Sequence, residues 1–175
     1  RRLQFPKAMR WTDDPDVRFA RPVRWLVALH GADPVPATAF GLESSRVSQG
    51  HRFLKRGAVE VDDAARYLDR LNAAKVIADP ALRSERLATE IQALAASAGG
   101  QVVADDELLE INNFLVEWPT AFLGAFDPRY LDLPREVIVT ALREHQRFFA
   151  VEGKDGRLLP NFIAVRNGDA RGLDG

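Results

Sequence analysis

The chain has 175 residues, 46% of them apolar, and a formal net charge of −1. That apolar share is enough for a core and excludes a disordered chain, and no run approaches the roughly 18 uninterrupted apolar residues of a membrane-spanning helix. The absence of cysteine excludes disulfides and thiolate metal sites and fits a reducing compartment. One domain is expected over 1–175, with 1–20 as an irregular lead-in and 170–175 as a cut linker. RRLQFPK has no apolar stretch after its arginines, so no signal peptide is expected, and both ends read as cuts through a longer chain. The charge is unevenly spread. Residues 1–57 hold eleven Lys and Arg against five Asp and Glu, the remainder thirteen against twenty. A basic first third suits a polyanion such as RNA, or it solvates strand edges and loops.

Pro6, Pro15 and the cluster Thr12-Asp13-Asp14-Pro15-Asp16 make 1–17 irregular, with Phe5 and Trp11 expected to tuck into a groove. Over 22–30, Val23, Trp25, Val27 and Leu29 alternate with Arg24, Leu26, Ala28 and His30, predicting a strand with Trp25 in the core. Gly31-Ala32-Asp33-Pro34 turns the chain, and 35–40 pairs back as an edge strand because of Pro36. A third strand is predicted over 46–54, with Arg46, Ser48, Gly50 and Arg52 on one face and Val47, Gln49, His51 and Phe53 on the other. A short strand at 58–61 leads to Asp62, which caps a helix to about residue 74 with Ala64, Ala65, Leu68 and Leu71 inward. After an extended 75–77, Asp79-Pro80 supplies a cap and a first-turn proline. The helix it opens carries Leu87, Ile91, Leu94 and Ala98 as its stripe, and Gly99 closes it.

Residues 102–103 are strand-like, and Asp105 caps a short helix to about residue 112. Residues 114–123 read as two extended pieces bent at Pro119, and 124–133 as a loop. Pro134 opens a helix in which Val137, Ile138, Ala141, Leu142 and His145 recur at helical spacing, which turns His145 inward. Glu136, Thr140, Arg143 and Arg147 face away. Residues 148–151 and 158–165 flank Gly153-Lys154-Asp155-Gly156 as a hairpin. Strands at both ends with helices between them argue for α+β.

The usual catalytic signatures are missing. Ser48 lies outside any nucleophile elbow, and Gly153-Lys154 lacks the rest of a phosphate loop. His30, His51 and His145 have no ligand-spaced partner, so no metal site is expected. Two phrases share a composition: Gly50-His51-Arg52-Phe53-Leu54 and Glu144-His145-Gln146-Arg147-Phe148-Phe149. Arginine with aromatics is one way to hold single-stranded RNA, guanidinium to phosphate and ring to base. His51, Glu144 and His145 are also the residues that acid–base chemistry would draw on. The alternative is structural: Phe53, Phe148 and Phe149 in the core, the histidines bonded to nearby backbone, and the carboxylates of 105–117 on a solvated helix.

Seven stretches, FPKAMRW (5–11), RPVRWLVAL (21–29), GHRFL (50–54), KVIAD (75–79), EWPTAFLGAFD (117–127), LPREVIVTALREHQRFF (133–149) and LPNFIAVRNGD (159–169), resemble in order the β subunit of the bacterial heterotetrameric glycyl-tRNA synthetases. Phe148 stands where that family's pattern has tyrosine. The resemblance implies a non-catalytic module from the N-terminal half of a β subunit, contributing to tRNA binding and assembly in ATP-dependent glycylation of tRNA in the cytoplasm. ATP and Mg would belong to the α subunit, leaving no catalytic residue, metal or cofactor here. The implied fold is a β-sandwich-like core with packed helices, similar to the editing-type domain of the phenylalanyl-tRNA synthetase β subunit. The implied partners are tRNA, the α subunit and the remaining β-subunit domains. The RNA-binding candidates are then Arg46, Arg52, Lys55, Arg56, Arg143, Arg147 and Arg166. Two other readings remain. An editing hydrolase would use His51, His145 and Glu144 to position water, although glycine is small enough for a size sieve to make editing unnecessary. A purely structural interface domain would use Trp11, Trp25 and Trp118 as anchors.

Overall fold

A computed structural model describes residues 7–11, 13 and 17–170; the expectations for Phe5, Pro6, Thr12 and 14–16 lie outside them. The first third is a series of short strands: β1 (Met9–Arg10), β2 (Arg18–Phe19), β3 (Leu26–Val27), β4 (Leu29–His30), β5 (Asp33–Pro34), β6 (Thr38–Ala39), β7 (Leu42–Ser45), β8 (Val47–Gln49) and β9 (Ala58–Glu60). The single strand predicted over 22–30 is two pieces with different partners. β3 runs parallel to β7, while β4 turns back antiparallel on β5. Only β6 forms within the expected return strand, and it pairs with β7 instead. Pro34 and Pro36 lack the N–H that a longer ladder would need. The strand predicted over 46–54 ends at Gln49, and β8 pairs with β9.

The first helix also departs from expectation. Asp63, not Asp62, caps it, accepting from the Ala65 N–H at 2.8 Å. Asp62 instead receives the guanidinium groups of Arg66 and Arg70. The segment starts as a 3-10 turn and becomes α1 (Tyr67–Ala73), so the face shifts and only Leu71 is buried. Ala64, Ala65 and Leu68 are exposed.

The second helix follows the sequence closely. In α2 (Pro80–Ser97), Asp79 accepts from the N–H of Ala81, Pro80 takes the first turn, and Gly99 leaves at φ 80°. Leu87, Ile91 and Ala95 are buried. Next come β10 (Gln101–Val102) and α3 (Asp106–Leu115), where Asp105 accepts from the Leu108 N–H at 2.8 Å. Phe114 and Leu115 therefore end a helix rather than start a strand. Pro119 opens β11 (Pro119–Ala125), a position where a missing N–H is tolerated. A 3-10 turn (Pro128–Asp132) replaces part of the predicted loop. After α4 (Arg135–Thr140), the hairpin of β12 (Phe149–Glu152) and β13 (Leu158–Asn167) closes the domain.

These last strands form one antiparallel sheet in the order β10–β12–β13–β11. Leu87, Ile91, Ala95 and Leu108 from the helices meet Phe149, Val151 and Ile163 from the sheet in the main core. Burying the larger of these side chains is worth about 1.5–3 kcal/mol each, and most of the buried apolar residues lie in these helices and this sheet. The α+β class therefore holds, and the layer against this face is helical. On the other face Phe148 stacks on Phe162 at 4.8 Å. None of the described helices is long and apolar enough to cross a membrane.

α4 does not continue as the predicted α-helix. It widens into a π turn (Ala141–Gln146), and Arg147 ends it in the left-handed conformation, φ 59°. The wider turn swings His145 off the apolar face. His145 is exposed, Ile138 is buried and Leu142 is half-buried. The expectation of an inward His145 assumed uninterrupted 3.6-residue periodicity, which the π turn breaks.

Gly124 lies opposite Phe162 in the β11–β13 ladder, and a Cβ there would fall 2.3 Å from the Phe162 Cζ. Phe162 is itself held against Phe148, so the ring has little room to give. Gly124→Ala is expected to destabilise the protein by roughly 1–3 kcal/mol through overpacking, read as a lower urea midpoint.

Candidate functional site

The turn after β8 is built around His51, which is 0% exposed. Its Nδ1 faces two backbone N–H groups, those of Phe53 and Leu54, each at 3.2 Å, so this nitrogen accepts. The proton therefore sits on Nε2, which donates to the Asn167 Oδ1 at 2.9 Å. That oxygen also accepts the N–H groups of Glu117 and Trp118, both at 3.0 Å, which fixes the orientation of the amide. The backbone of His51 is engaged as well: its N–H donates to Ala74 O, and its carbonyl accepts from Lys55 N–H. Gly50 is required at the start of this turn, since a Cβ would lie 2.1 Å from the Lys55 carbonyl oxygen. His51 is thus a buried hub with both ring nitrogens occupied.

This hub projects Arg52, Phe53, Lys55 and Arg56 outward. Phe53 is 61% exposed, correcting its expected core position, and the Arg52 guanidinium lies 5.1 Å from its ring centre. His51 consumes the inward position of the turn, so Phe53 has nowhere to be buried. Arg52 and Arg56 line an open cleft of about 870 Å³ together with Arg21, Arg24 and Trp25, and Glu117 is the one carboxylate in its lining. Trp25 is 43% exposed, again contrary to its expected core position. It also lines an adjoining hollow of about 400 Å³ with Leu26, Val27, Leu29, Ala64 and Tyr67. Trp11 is exposed, with its indole N–H on Phe19 O, whereas Trp118 is half-buried between the Lys75 ammonium at 4.5 Å and the Arg86 guanidinium at 4.4 Å.

The seven cations proposed from sequence do not share one surface. Arg52 and Arg56 line the cleft, and Lys55 is exposed on the turn between them. Arg46 reaches back to Ala32 O at 3.2 Å. Arg166 is half-buried on β13 against Gly168. Arg143 belongs to an ion cluster at the end of α4: its Nε donates to Asp105 at 2.6 Å, and its other nitrogens reach Glu107 and Glu144. Arg147 sits 3.5 Å from Glu144, and its carbonyl accepts from the buried Asn112. Asp105 and Glu107 are therefore ion-pair partners as well as members of an acidic helix. The RNA-binding candidates read from sequence omit Arg21 and Arg24; the signal is the phrase Arg21-Pro22-Val23-Arg24-Trp25, most of which falls in the strand predicted over 22–30.

The three acid–base candidates have different surroundings. His51 is buried and fully bonded, Glu144 is held by two arginines, and His145 is exposed on the π turn. Among the described residues no three His, Asp or Glu side chains converge as a metal site. A third hollow, about 260 Å³ and apolar throughout, lies between α4 and the sheet, with Tyr130, Leu133 and Val137 exposed at its rim above Phe148 and Phe162.

The family model described as glycyl-tRNA synthetase beta subunit matches residues 1–174. The chain is 42% identical over 172 residues to the glycine–tRNA ligase beta subunit of Bacillus subtilis (strain 168), covering 98% of this chain and 25% of that protein. It is 48% identical over 171 residues to that of Desulfitobacterium hafniense (strain Y51), covering 98% and 24%, and 46% identical over 172 residues to that of Moorella thermoacetica, covering 98% and 25%. The chain spans about a quarter of the length of these relatives.

His51→Ala would strand two inward N–H groups and one acceptor bond, so a loss of roughly 2–4 kcal/mol is expected in denaturant unfolding. Asn167→Ala should cost a similar amount, and the double variant clearly less than the two together. Additivity within about 0.5 kcal/mol would mean the two residues do not act as one unit. Partial burial pushes the Asp105 carboxyl up, but the hydrogen bonds from Arg143 and from Leu108 N–H outweigh it and hold it below the ordinary range. A depressed carboxylate stabilises the fold above its unfolded value, near 3.9 for Asp, and loses that contribution as pH falls through the folded value. Asp105→Asn keeps the cap and removes the charge. Its stability deficit against wild type should be full at neutral pH and should close below about pH 4, measured by denaturation across the acid range.

Proposed function

The chain belongs to the glycyl-tRNA synthetase β-subunit family, and on that premise we propose that it is a non-catalytic module serving tRNA binding and heterotetramer assembly during ATP-dependent glycylation of tRNA. The observation that carries the binding role is the cleft where Arg21, Arg24, Arg52 and Arg56 converge with Glu117 as the one lining carboxylate. Four guanidinium groups concentrated at an open surface favour a phosphate backbone. The reading narrows the sequence candidates. Arg52 and Arg56, with Lys55 beside them, are phosphate contacts; Arg143 is committed to three carboxylates and serves the fold.

The assembly role draws on the apolar hollow between α4 and the sheet. Its exposed rim of Tyr130, Leu133 and Val137 suits burial against the α subunit or another part of a β subunit. ATP and Mg are assigned to the α subunit, and the setting to the cytoplasm. The likeness of fold to an editing-type domain rests on the family resemblance alone. The separate commitments of His51 and Glu144 argue against a hydrolytic role.

The test is tRNA binding by the assembled enzyme over a salt series. Replacing Arg52 and Arg56 together by glutamine should weaken binding and lower the magnitude of the log–log salt slope by roughly 1–2, one phosphate contact per arginine. Unchanged affinity and slope in this double variant would remove the cleft from the tRNA path.

A further inference from the structure

The cleft holds more than charge. Trp25 stands half-exposed where the arginine-lined cleft meets the adjoining hollow, and it lines both. Tyr67 also lines that hollow and is itself partly exposed. Phe53 stands 61% exposed beside Arg52. Large aromatic rings left in water, Trp25 lining a cationic cleft and Phe53 beside an arginine that lines it, are poorly explained by packing or by phosphate attraction alone. Each forgoes the stabilisation that burial would bring.

We propose that the cleft takes unpaired RNA, with bases stacked on Trp25 and Phe53 while Arg21, Arg24, Arg52 and Arg56 hold the intervening phosphates. This rests on the tRNA-binding reading above and specifies which kind of RNA segment is held. The chemistry discriminates between paired and unpaired strands. In an A-form duplex the base faces are stacked on each other, and proteins reach mainly phosphates and 2′-hydroxyls. Rings such as Trp25 and Phe53 have no base face to meet there. An unpaired strand offers a π face and a phosphate at every nucleotide, the combination that alternating arginines and aromatics fit. Leu26, Val27, Leu29 and Tyr67 line the hollow beyond Trp25 and offer side-chain surface against which a splayed base can lie. The turn that presents Arg52 and Phe53 is fixed from beneath by His51, so these groups are ordered before a ligand arrives.

The experiment uses the assembled enzyme with two labelled probes, a short RNA oligonucleotide without internal pairing and a blunt duplex of the same sequence, followed by fluorescence anisotropy. Trp25→Ala and Phe53→Ala should each weaken the unpaired probe by roughly tenfold or more, with the duplex nearly unaffected and the salt slope unchanged. Trp25→Phe should recover most of the loss, because it restores a stacking surface. The thermal unfolding midpoint of each variant, matched to wild type, excludes a folding defect. Equal weakening of both probes by the alanine variants overturns the inference, since the rings would then serve shape rather than stacking. So does no change in either probe. If the Arg52 and Arg56 variants still weaken binding in that second case, the cleft is a phosphate site without stacking and the tRNA-binding reading stands. If they too have no effect, both readings fall.

Discussion

Asn167 Oδ1 accepts three hydrogen bonds at once, from His51 Nε2 and from the backbone of Glu117 and Trp118. Those three donors come from the turn after β8 and from the junction between α3 and β11, and the acceptor ends β13. One amide oxygen therefore joins the small-stranded first third to the four-stranded sheet. His51 is buried and Asn167 half-buried, and every buried side-chain polar atom among the described residues has a partner. A satisfied polar hub of this kind contributes modestly when whole and is costly when broken, because each orphaned group keeps its full desolvation penalty. Specific placement is what it supplies. With both ring nitrogens of His51 spoken for, the 50–56 turn has one conformation, and that conformation points Arg52, Phe53 and Arg56 outward.

A second set of contacts stiffens the same junction. Trp118, next to the hub, lies between Lys75 and Arg86, and Arg86 in turn pairs with Glu90, whose other oxygen accepts from Ala121 N–H. Arg83, 8% exposed, donates to Asn113 and to Ile77 O from beneath α2, and burial lowers its tendency to hold a proton without removing its charge. Helix α2 thus grips both the end of α3 and the start of β11 with arginines, while its apolar stripe seals the sheet. The cleft inherits this rigidity through Glu117 and Gln49, which stand on its margin.

The sequence was legible where local signals agreed. Asp79, Pro80, the Leu87–Ile91 spacing and Gly99 all indicated the same helix, and α2 is that helix. The β12–β13 hairpin was equally plain from its glycine turn. Legibility failed where a local pattern was interrupted by something nonlocal. The π turn at Ala141–Gln146 ends the 3.6-residue period without any proline or glycine to announce it, so His145 was placed inward and lies outside. Val23, Trp25, Val27 and Leu29 alternate well, yet β3 and β4 take different partners, and strand pairing of that kind is decided by distant chain. Trp25 and Phe53 were assigned to the core because large apolar residues usually are. Their exposure follows from His51 and its partners, and no local pattern encodes that. The candidate site was half legible: the His-Arg-Phe phrase at 51–53 marked part of its lining, while Arg24 went unnoticed inside an apparent strand and Arg21 just before it.

The two His-Arg-aromatic phrases, alike in composition, end with opposite electrostatic characters. At 143–147 the arginines face Asp105, Glu107 and Glu144, three carboxylates against two cations, so the field that reaches solvent there is weakened or reversed. At the cleft four arginines face Glu117 alone. Partly exposed charges a few ångströms apart attract each other, although solvent screens much of that attraction. A phosphate approaching Arg143 would have to displace partners already at contact distance and meet the repulsion of the carboxylates it displaced. A phosphate approaching Arg52 or Arg56 meets neither penalty to the same degree. What distinguishes a binding arginine from a structural one is the count of carboxylates already within reach, a quantity set by which helices pack together. For this chain Asp105 and Glu107, at the start of α3, engage Arg143, and Arg147 pairs with Glu144 on its own turn. The buried histidine turns the other pair outward beside Trp25.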